Sequence, residues 1–395
     1  MGLKLLKNTS SVFSTVFLIA ISEADHFSIT YLTYTEREFH DCFCMSKLCD
    51  QRSSAAVDSY KPRIDGVRGM PGKVSPDDLL AHVFERTGTD DETVLQGPAN
   101  GEDAAAIAPF GGDETLVVSS DPISLAAAGV GSLAVPIACN DVAASGADPR
   151  WLTVVIMLPD EETDLEAITG DLDAAARDVG ATIVGGHSEY VDQLERPLLS
   201  LTAMGTADSF VPTGGAEPGD SVIITKAAGL EGTAILATDF GDGLDVDEAV
   251  RERSEGFLEE ISVAPDARAV REHATAMHDP TEGGVAAGLL EIARASGVRL
   301  AVDRERIPVR EETRRLCEAA GVDPLRIFGS GALLATVPGD AVDDCLAALE
   351  AAGLEGSEIG TVGEGDPALV LDGEAITEPI ADDLYPLWEG ADADD

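Results

Sequence analysis

A set of acidic residues stands inside apolar, glycine-flanked segments that would ordinarily exclude charge, and this constrains the chain more than any other feature. Asp103 lies in Gly101-Glu102-Asp103-Ala104-Ala105-Ala106-Ile107, ahead of the apolar run Thr115-Leu116-Val117-Val118 and of Ser119-Ser120-Asp121. Asp141 follows Ala138-Cys139-Asn140 and precedes Val142-Ala143-Ala144. Glu189 ends Val184-Gly185-Gly186-His187-Ser188-Glu189, and Asp279 opens Asp279-Pro280-Thr281-Glu282-Gly283-Gly284. A carboxylate persists in such surroundings only where a cation or hydrogen-bond donors meet it. No lysine or arginine sits beside these acids in the sequence, so a shared cation is implied, most simply Mg²⁺ carrying a phosphate.

The acids of the surface have a different reading. The 73 acidic and 26 basic residues give a net charge of −47, and only Lys4, Lys7, Lys47, Lys61, Lys73 and Lys226 are lysines. An acid-rich surface that prefers Arg to Lys suits a protein dissolved in concentrated salt, where screening removes most self-repulsion. The expectation is a halophilic, cytoplasmic protein. Because the acids are spread through periodic apolar segments, a disordered acidic chain is disfavoured. Nucleic acid is disfavoured as the main partner, since phosphate backbones need a basic footprint. With 395 residues, 44% of them hydrophobic, the chain can build two domains, each with a core.

Residues 1–69 belong to another compositional population. They carry eight basic and eight acidic residues, so residues 70–395 carry the whole net charge. Lys4 and Lys7 followed by Val16-Phe17-Leu18-Ile19-Ala20-Ile21 resemble a signal peptide. Ser11, Ser14 and Thr15 interrupt that run, which is too short to span a bilayer. Cys42, Cys44 and Cys49 lack a second pair at metal-ligand spacing. The abrupt change at Met70-Pro71-Gly72-Lys73 predicts an extension over 1–69 and a functional start at Met70.

Beyond it the pattern alternates between strands and helices. Ser75 and Pro76 predict a helix start; Trp151 to Leu158, Thr182 to Val184 and Leu198 to Thr206 read as strands, with an amphipathic helix from Asp164 to Val179 between the first two. Pro212-Thr213-Gly214-Gly215-Ala216-Glu217-Pro218-Gly219 is the best domain boundary, which divides the chain into 75–211, 212–380 and an acidic tail over 381–395. Helices over Asp245 to Ile261 and Pro265 to Met277 are expected ahead of Asp279, and a glycine-softened helix from Val285 after it.

Each motif also has a plain structural explanation. Asp279 as N-cap, Pro280 at the first helical position and Glu282 at the third would form a capping box worth about 1 kcal/mol. Gly283 and Gly284 are unexplained by that, but would let a phosphate approach the backbone amides. Asp141 could likewise cap a helix, Asp103 and Asp121 could be solvated strand-end acids, and His187 could be a satisfied core imidazole. Lys226 ends an apolar strand ahead of Ala227-Ala228-Gly229, where a retained lysine points to a phosphate contact. Cys139, Cys317 and Cys345 are expected to be inert core thiols. No Gly-x₄-Gly-Lys-Ser/Thr loop, His-Glu-x-x-His or Gly-x-Ser-x-Gly is present.

Taken in order, the Asp103, Asp121, Asn140-Asp141, Gly185-Gly186-His187-Ser188-Glu189 and Asp279 to Gly284 motifs resemble the aminoimidazole ribonucleotide (AIR) synthetase superfamily over about residues 75–377, closest to its hydrogenase maturation HypE and AIR synthetase-related branch. The resemblance implies an α/β (α+β) fold of two halves, the N-terminal one binding ATP and forming a dimer barrel. It implies ATP and Mg²⁺ as cofactors, with the γ-phosphate placed on an amide or carbonyl acceptor. Asp103, Asp121, Asp141 and Asp279 would hold Mg²⁺ and phosphates. Asn140, Gly185, Gly186, Glu189, Gly283 and Gly284 would bind the nucleotide, and Asp279, His187 and Lys226 would act in catalysis. A small-molecule acceptor and a homodimer are the partners expected, with no nucleic acid and no membrane. A maturation factor that forms a thiocyanate on a terminal cysteine is the alternative, as is a silent nucleotide-binding scaffold; here Ala391 to Asp395 carry only acids and alanine. Thiamine-monophosphate kinases carry an acid directly after the paired glycines, where this chain has His187.

Overall fold

Two sheets divide the described part of the chain, and the hydrophobic pattern of their strands explains how each is covered. The computed structural model describes residues 92–99, 101–108, 114–123 and 129–391, all in one unit, Met70–Asp395. The expectations for residues 1–69, and for a helix from Ser75, lie outside the described residues. Strands β1 (Val94–Gln96), β2 (Ala105–Ile107), β3 (Thr115–Ile123), β4 (Asp148–Leu158), β5 (Thr182–Tyr190) and β6 (Leu198–Ala207) form a sheet in the order β1-β2-β3-β6-β4-β5. All of its pairs are antiparallel except β4 with β5. Burial alternates residue by residue along β4 and β6, the mark of a sheet with only one face in a core. Helices α1 (Val130–Ala144) and α2 (Leu165–Val179) supply that core, where Val117, Val135, Leu152, Leu199 and Leu201 are fully buried.

The second sheet is covered on both faces. Strands β7 (Asp220–Thr225), β8 (Ala276–His278), β9 (Arg299–Val302), β10 (Leu334–Pro338), β11 (Gly356–Gly363), β12 (Ala368–Leu371) and β13 (Glu374–Ile376) run in the order β13-β12-β9-β11-β7-β10-β8. Every residue of the central strand β7 is buried, as its unbroken Val222-Ile223-Ile224 run requires. Val222 and Ile224 face α6 (Gly284–Ser296) through Leu289 and Ile292, whereas Ile223 faces α5 (Ala264–Val270) and α8 (Val342–Ala351) through Ala267, Val270 and Leu349. The remaining helices are α3 (Leu230–Asp239), α4 (Glu248–Glu255), α7 (Glu311–Ala320) and α9 (Tyr385–Ala391).

Several expected boundaries move. Met277 lies in β8, because the helix expected from Pro265 stops at Val270. The Asp245 to Ile261 helix is broken into α4 and a 3₁₀ turn at Gly256. Asp382, Leu384 and Tyr385 are buried rather than part of a tail, because Tyr385 and Trp388 pack around Phe328 with ring centroids 5.9 and 6.4 Å away. The halves are bonded together as well: Ala143 and Ala144 of α1 enter the second core, and Asp148 pairs with Arg268 and Arg271 at 2.6 and 3.0 Å. Among the described residues no helix is long and apolar enough to cross a membrane.

Candidate functional site

The two halves meet at a group of carboxylates. Asp121 is carried on β3, Asp141 in the last turn of α1, Asp103 just ahead of β2, and Asp279 immediately after β8. Asp141 is therefore not a helix cap; it sits near the negative end of the α1 dipole, which adds to its need for a cation. Ser119 donates to Asp141 (2.7 Å) and, at 3.4 Å, to Asp121. Burial, with the charges of Asp121, Asp103 and Asp279 beside it, pushes the Asp141 carboxyl well above the usual range, and Asp121 hydrogen-bonds it. Two carboxyls in hydrogen-bond contact share a proton or a cation.

Asp279 makes the strongest case. It is 2% exposed, and neither of its carboxylate oxygens has a hydrogen-bond partner. Burial, then the charge of Asp103, hold its carboxyl well above the ordinary range, against the opposing charge of His278. It is not the cap of a helix: α6 begins five residues later, and Gly283 is its cap. The strand β8 places His278 beside it. His278 Nδ1 lies 2.8 Å from Asp103 and Nε2 lies 2.9 Å from Glu291 of α6. Burial lowers the affinity of this imidazole for a proton, but Asp103 and Glu291 outweigh it and raise the pKa well above the ordinary value. Glu102, neighbour of Asp103, accepts from the Thr213 and Gly214 amides (both 3.2 Å) and so ties the halves together.

Other expected site residues sit elsewhere. Gly185, Gly186, His187 and Glu189 lie on β5, separated from the Asp121 strand by β6 and β4, about 14 Å at ordinary strand spacing. They do not join the acids within one chain. His187 is not a core imidazole: its exposed ring lies 3.5 Å from the Glu189 carboxylate. Gly186 is needed for packing, since a Cβ there would come within 1.9 Å of Val154 O on β4. Gly283 donates its amide to Asp382 Oδ2 (2.8 Å), and a Cβ on Gly284 would meet Ile327 O at 2.4 Å. Both glycines are packed against protein. Lys226 Nζ donates to Glu260 O (3.0 Å) and Ser262 O (2.8 Å) and forms an ion pair with the buried Asp266 (3.1 Å). It is not available as a phosphate contact. Asn140, fully buried, donates to Ile261 O (2.8 Å) and accepts from Val263 N (2.9 Å).

His278, Glu291 and Ser119 were not singled out by sequence. His278 stands next to Asp279 in an apolar run, which is a readable signal; Glu291 lies on a helix face and joins the site only through the fold.

One sheet covered on a single face and one covered on both meet at a junction that buries the partnerless Asp279 carboxylate. Residues 101–207 match the family described as AIR synthase related protein, N-terminal domain, and residues 217–372 its C-terminal domain; the chain belongs to this family. Within it the chain is similar to the carbamoyl dehydratase HypE of Cupriavidus necator, at 32% identity over 319 residues covering 76% of this chain and 86% of that protein. It is also similar to the carbamoyl dehydratase HypE of Rhizobium leguminosarum bv. viciae, at 30% over 321 residues and 78% and 87% coverage. Among solved structures, that of the hydrogenase maturation protein HypE in complex with ATP matches with a TM-score of 0.55 and 25% identity over 78% of this chain and 95% of that one. The expected superfamily, branch and two-half α/β fold are borne out.

Proposed function

We propose that this chain binds ATP with Mg²⁺ between its two halves and uses the γ-phosphate to activate an amide or carbonyl oxygen of a small acceptor. The observation that carries the reading is the buried, partnerless Asp279 carboxylate facing Asp103 and, through Asp141, Asp121. Among the described residues no three His, Cys, Asp or Glu side chains close on one point at metal-ligand spacing. That suits Mg²⁺, which is held by one or two carboxylates and completes its octahedron with water and phosphate oxygens. Its one or two carboxylate ligands would come from Asp103, Asp121, Asp141 and Asp279, and when bound it would neutralise phosphate charge.

The chain's own groups do the rest. Ser119 orients Asp141, and His278, held between Asp103 and Glu291, fixes the Asp103 carboxylate. The known ATP complex of a HypE structure and the carbamoyl dehydratase name of the relatives support the choice of nucleotide and of an amide-type acceptor. The cysteines do not support a carbamoyl group carried on the described part of the chain. Cys139, Cys317 and Cys345 are buried, with burial pushing their thiols up to about 12, 12 and 11. Calorimetry with ATP and Mg²⁺ in concentrated salt, followed by ADP release across amide and carbonyl acceptors, tests the reading. Binding without turnover would favour the scaffold, and an ATP-dependent carbamoyl or cyano adduct on a cysteine would favour the maturation role.

The same reading includes a homodimer. All nine residues of β5 are exposed, with Ile183 and Val184 at 39% and 56%, beside a groove of about 280 Å³ lined by Val154, Ile156 and Leu172. A bare, apolar edge strand is a pairing surface. A second copy there would cover Gly185, Gly186, His187 and Glu189, which in this reading would lie at the interface between copies. Sedimentation in concentrated salt should give a dimer that Val184→Glu converts to monomer.

A further inference from the structure

We infer that Lys226 is a positioning residue: it holds the 260–263 loop so that the loop locks the Asn140 amide next to Asp141 on α1. The geometry is a relay across the junction of the halves. At the end of β7 the backbone of Lys226 takes a φ of +52°, a left-handed conformation that side chains other than glycine rarely adopt. Lys226 N donates to Glu355 O at 2.9 Å, which holds the residue there. From this position the side chain, 10% exposed, delivers its ammonium to Glu260 O, Ser262 O and Asp266. The loop's next two polar groups turn the other way, so that Ile261 O accepts from Asn140 Nδ2 while Val263 N donates to Asn140 Oδ1.

Both ends of the Asn140 amide are thus set by one backbone segment, and Lys226 grips that segment on either side of Ile261. Asn140 in turn directly precedes Asp141 on α1. The Asp266 carboxylate, fully buried, explains why a cation is kept here. Removing the ammonium would strand that carboxylate and free two carbonyls. An arginine presents its protons in a planar fork rather than around a single point.

The consequence for metal binding rests on the function proposed above, but the relay can be read without it. The chain has three asparagines, Asn8, Asn100 and Asn140, so ¹⁵N-asparagine labelling gives three side-chain amide pairs. In the wild-type chain the Asn140 pair, identified by its loss in Asn140→Ala, should be protected from exchange with water; Lys226→Met should speed its exchange by at least about tenfold, and Lys226→Arg should do so to a smaller extent. In the absence of nucleotide, Lys226→Met should weaken Mn²⁺ binding by about tenfold while leaving the ATP KM at saturating Mn²⁺ unchanged. Asn140→Ala should weaken it similarly, and the double variant should be no worse than the poorer single one.

Unchanged protection of the Asn140 amide in both Lys226 variants would overturn the inference. So would an effect confined to the ATP KM, which would mark a direct phosphate contact, or losses that multiply in the double variant. A wild-type chain that binds no Mn²⁺ would sink the proposed function, and the amide exchange would still decide whether Lys226 holds the loop.

Discussion

A carboxylate at the junction of the halves is held against its own chemistry. For Asp279 the folded chain raises the pKa, so its contribution to stability is greatest below the ordinary carboxylate range and is lost as pH rises. Asp279→Asn should therefore leave the metal-free protein at least as stable at neutral pH, measured by thermal unfolding, while turnover falls on the order of 10²-fold. A second buried acid lies away from the proposed metal ligands. Asp382, raised mainly by burial from 3.8 to about 7, accepts from the Gly283 and Leu384 amides, with Glu282 and Asp383 nearby. Its favourable contribution is present below 3.8 and lost as pH climbs through about 7. Relative to Asp382→Asn, the wild-type protein should lose stability between the acidic and alkaline ends of that window at fixed salt; a constant difference would exclude the shift.

At the level of elements, close approach matters more than propensity. The β5 strand pairs with β4 in register Val154↔Gly186, at the point where a Cβ would strike the β4 backbone. Gly186→Ala should destabilise the N-terminal half by about 1–3 kcal/mol in chemical unfolding, with α2 and β4 exchanging amide protons faster. Helix α2 offers a contrast, since its start is set locally by the Asp164 side chain accepting from Ala167 N at 3.0 Å. Asp164→Ala should cost about 1 kcal/mol and leave the site intact, as read by unchanged ATP binding. The Asp164 cap and the apolar positions Ile168, Leu172 and Ala176 repeat at helical spacing, so this element is readable directly.

On the scale of the whole molecule the charge of −47 sets the conditions for stability. Screening lengths fall from about 10 Å at 0.1 M salt to about 3 Å at 1 M, so self-repulsion across an acidic surface fades over that range. The Tm should rise steadily with KCl from 0.1 to 1 M; a flat response would remove the halophilic reading.

Local rules decided what could be read without coordinates. Strand and helix identity followed from hydrophobic period: the alternation of β6, the unbroken apolar run of β7 and the helical spacing of α2 are each properties of neighbouring residues. The acids Asp103, Asp121, Asp141 and Asp279 were legible because a charge inside an apolar segment needs a partner wherever it falls. Their neighbours were not legible. Glu291 reaches His278 across 13 positions, Asn140 meets Ile261 across 121, and Lys226 spends its protons on carbonyls 34 and 36 residues away. Whether a lysine, a glycine pair or a histidine faces a ligand or its own chain depends on which backbone groups the fold carries to it, and sequence spacing does not encode those distances. For that reason only the fold shows that Lys226 and Gly283 bond groups of their own chain and that Gly284 packs against Ile327.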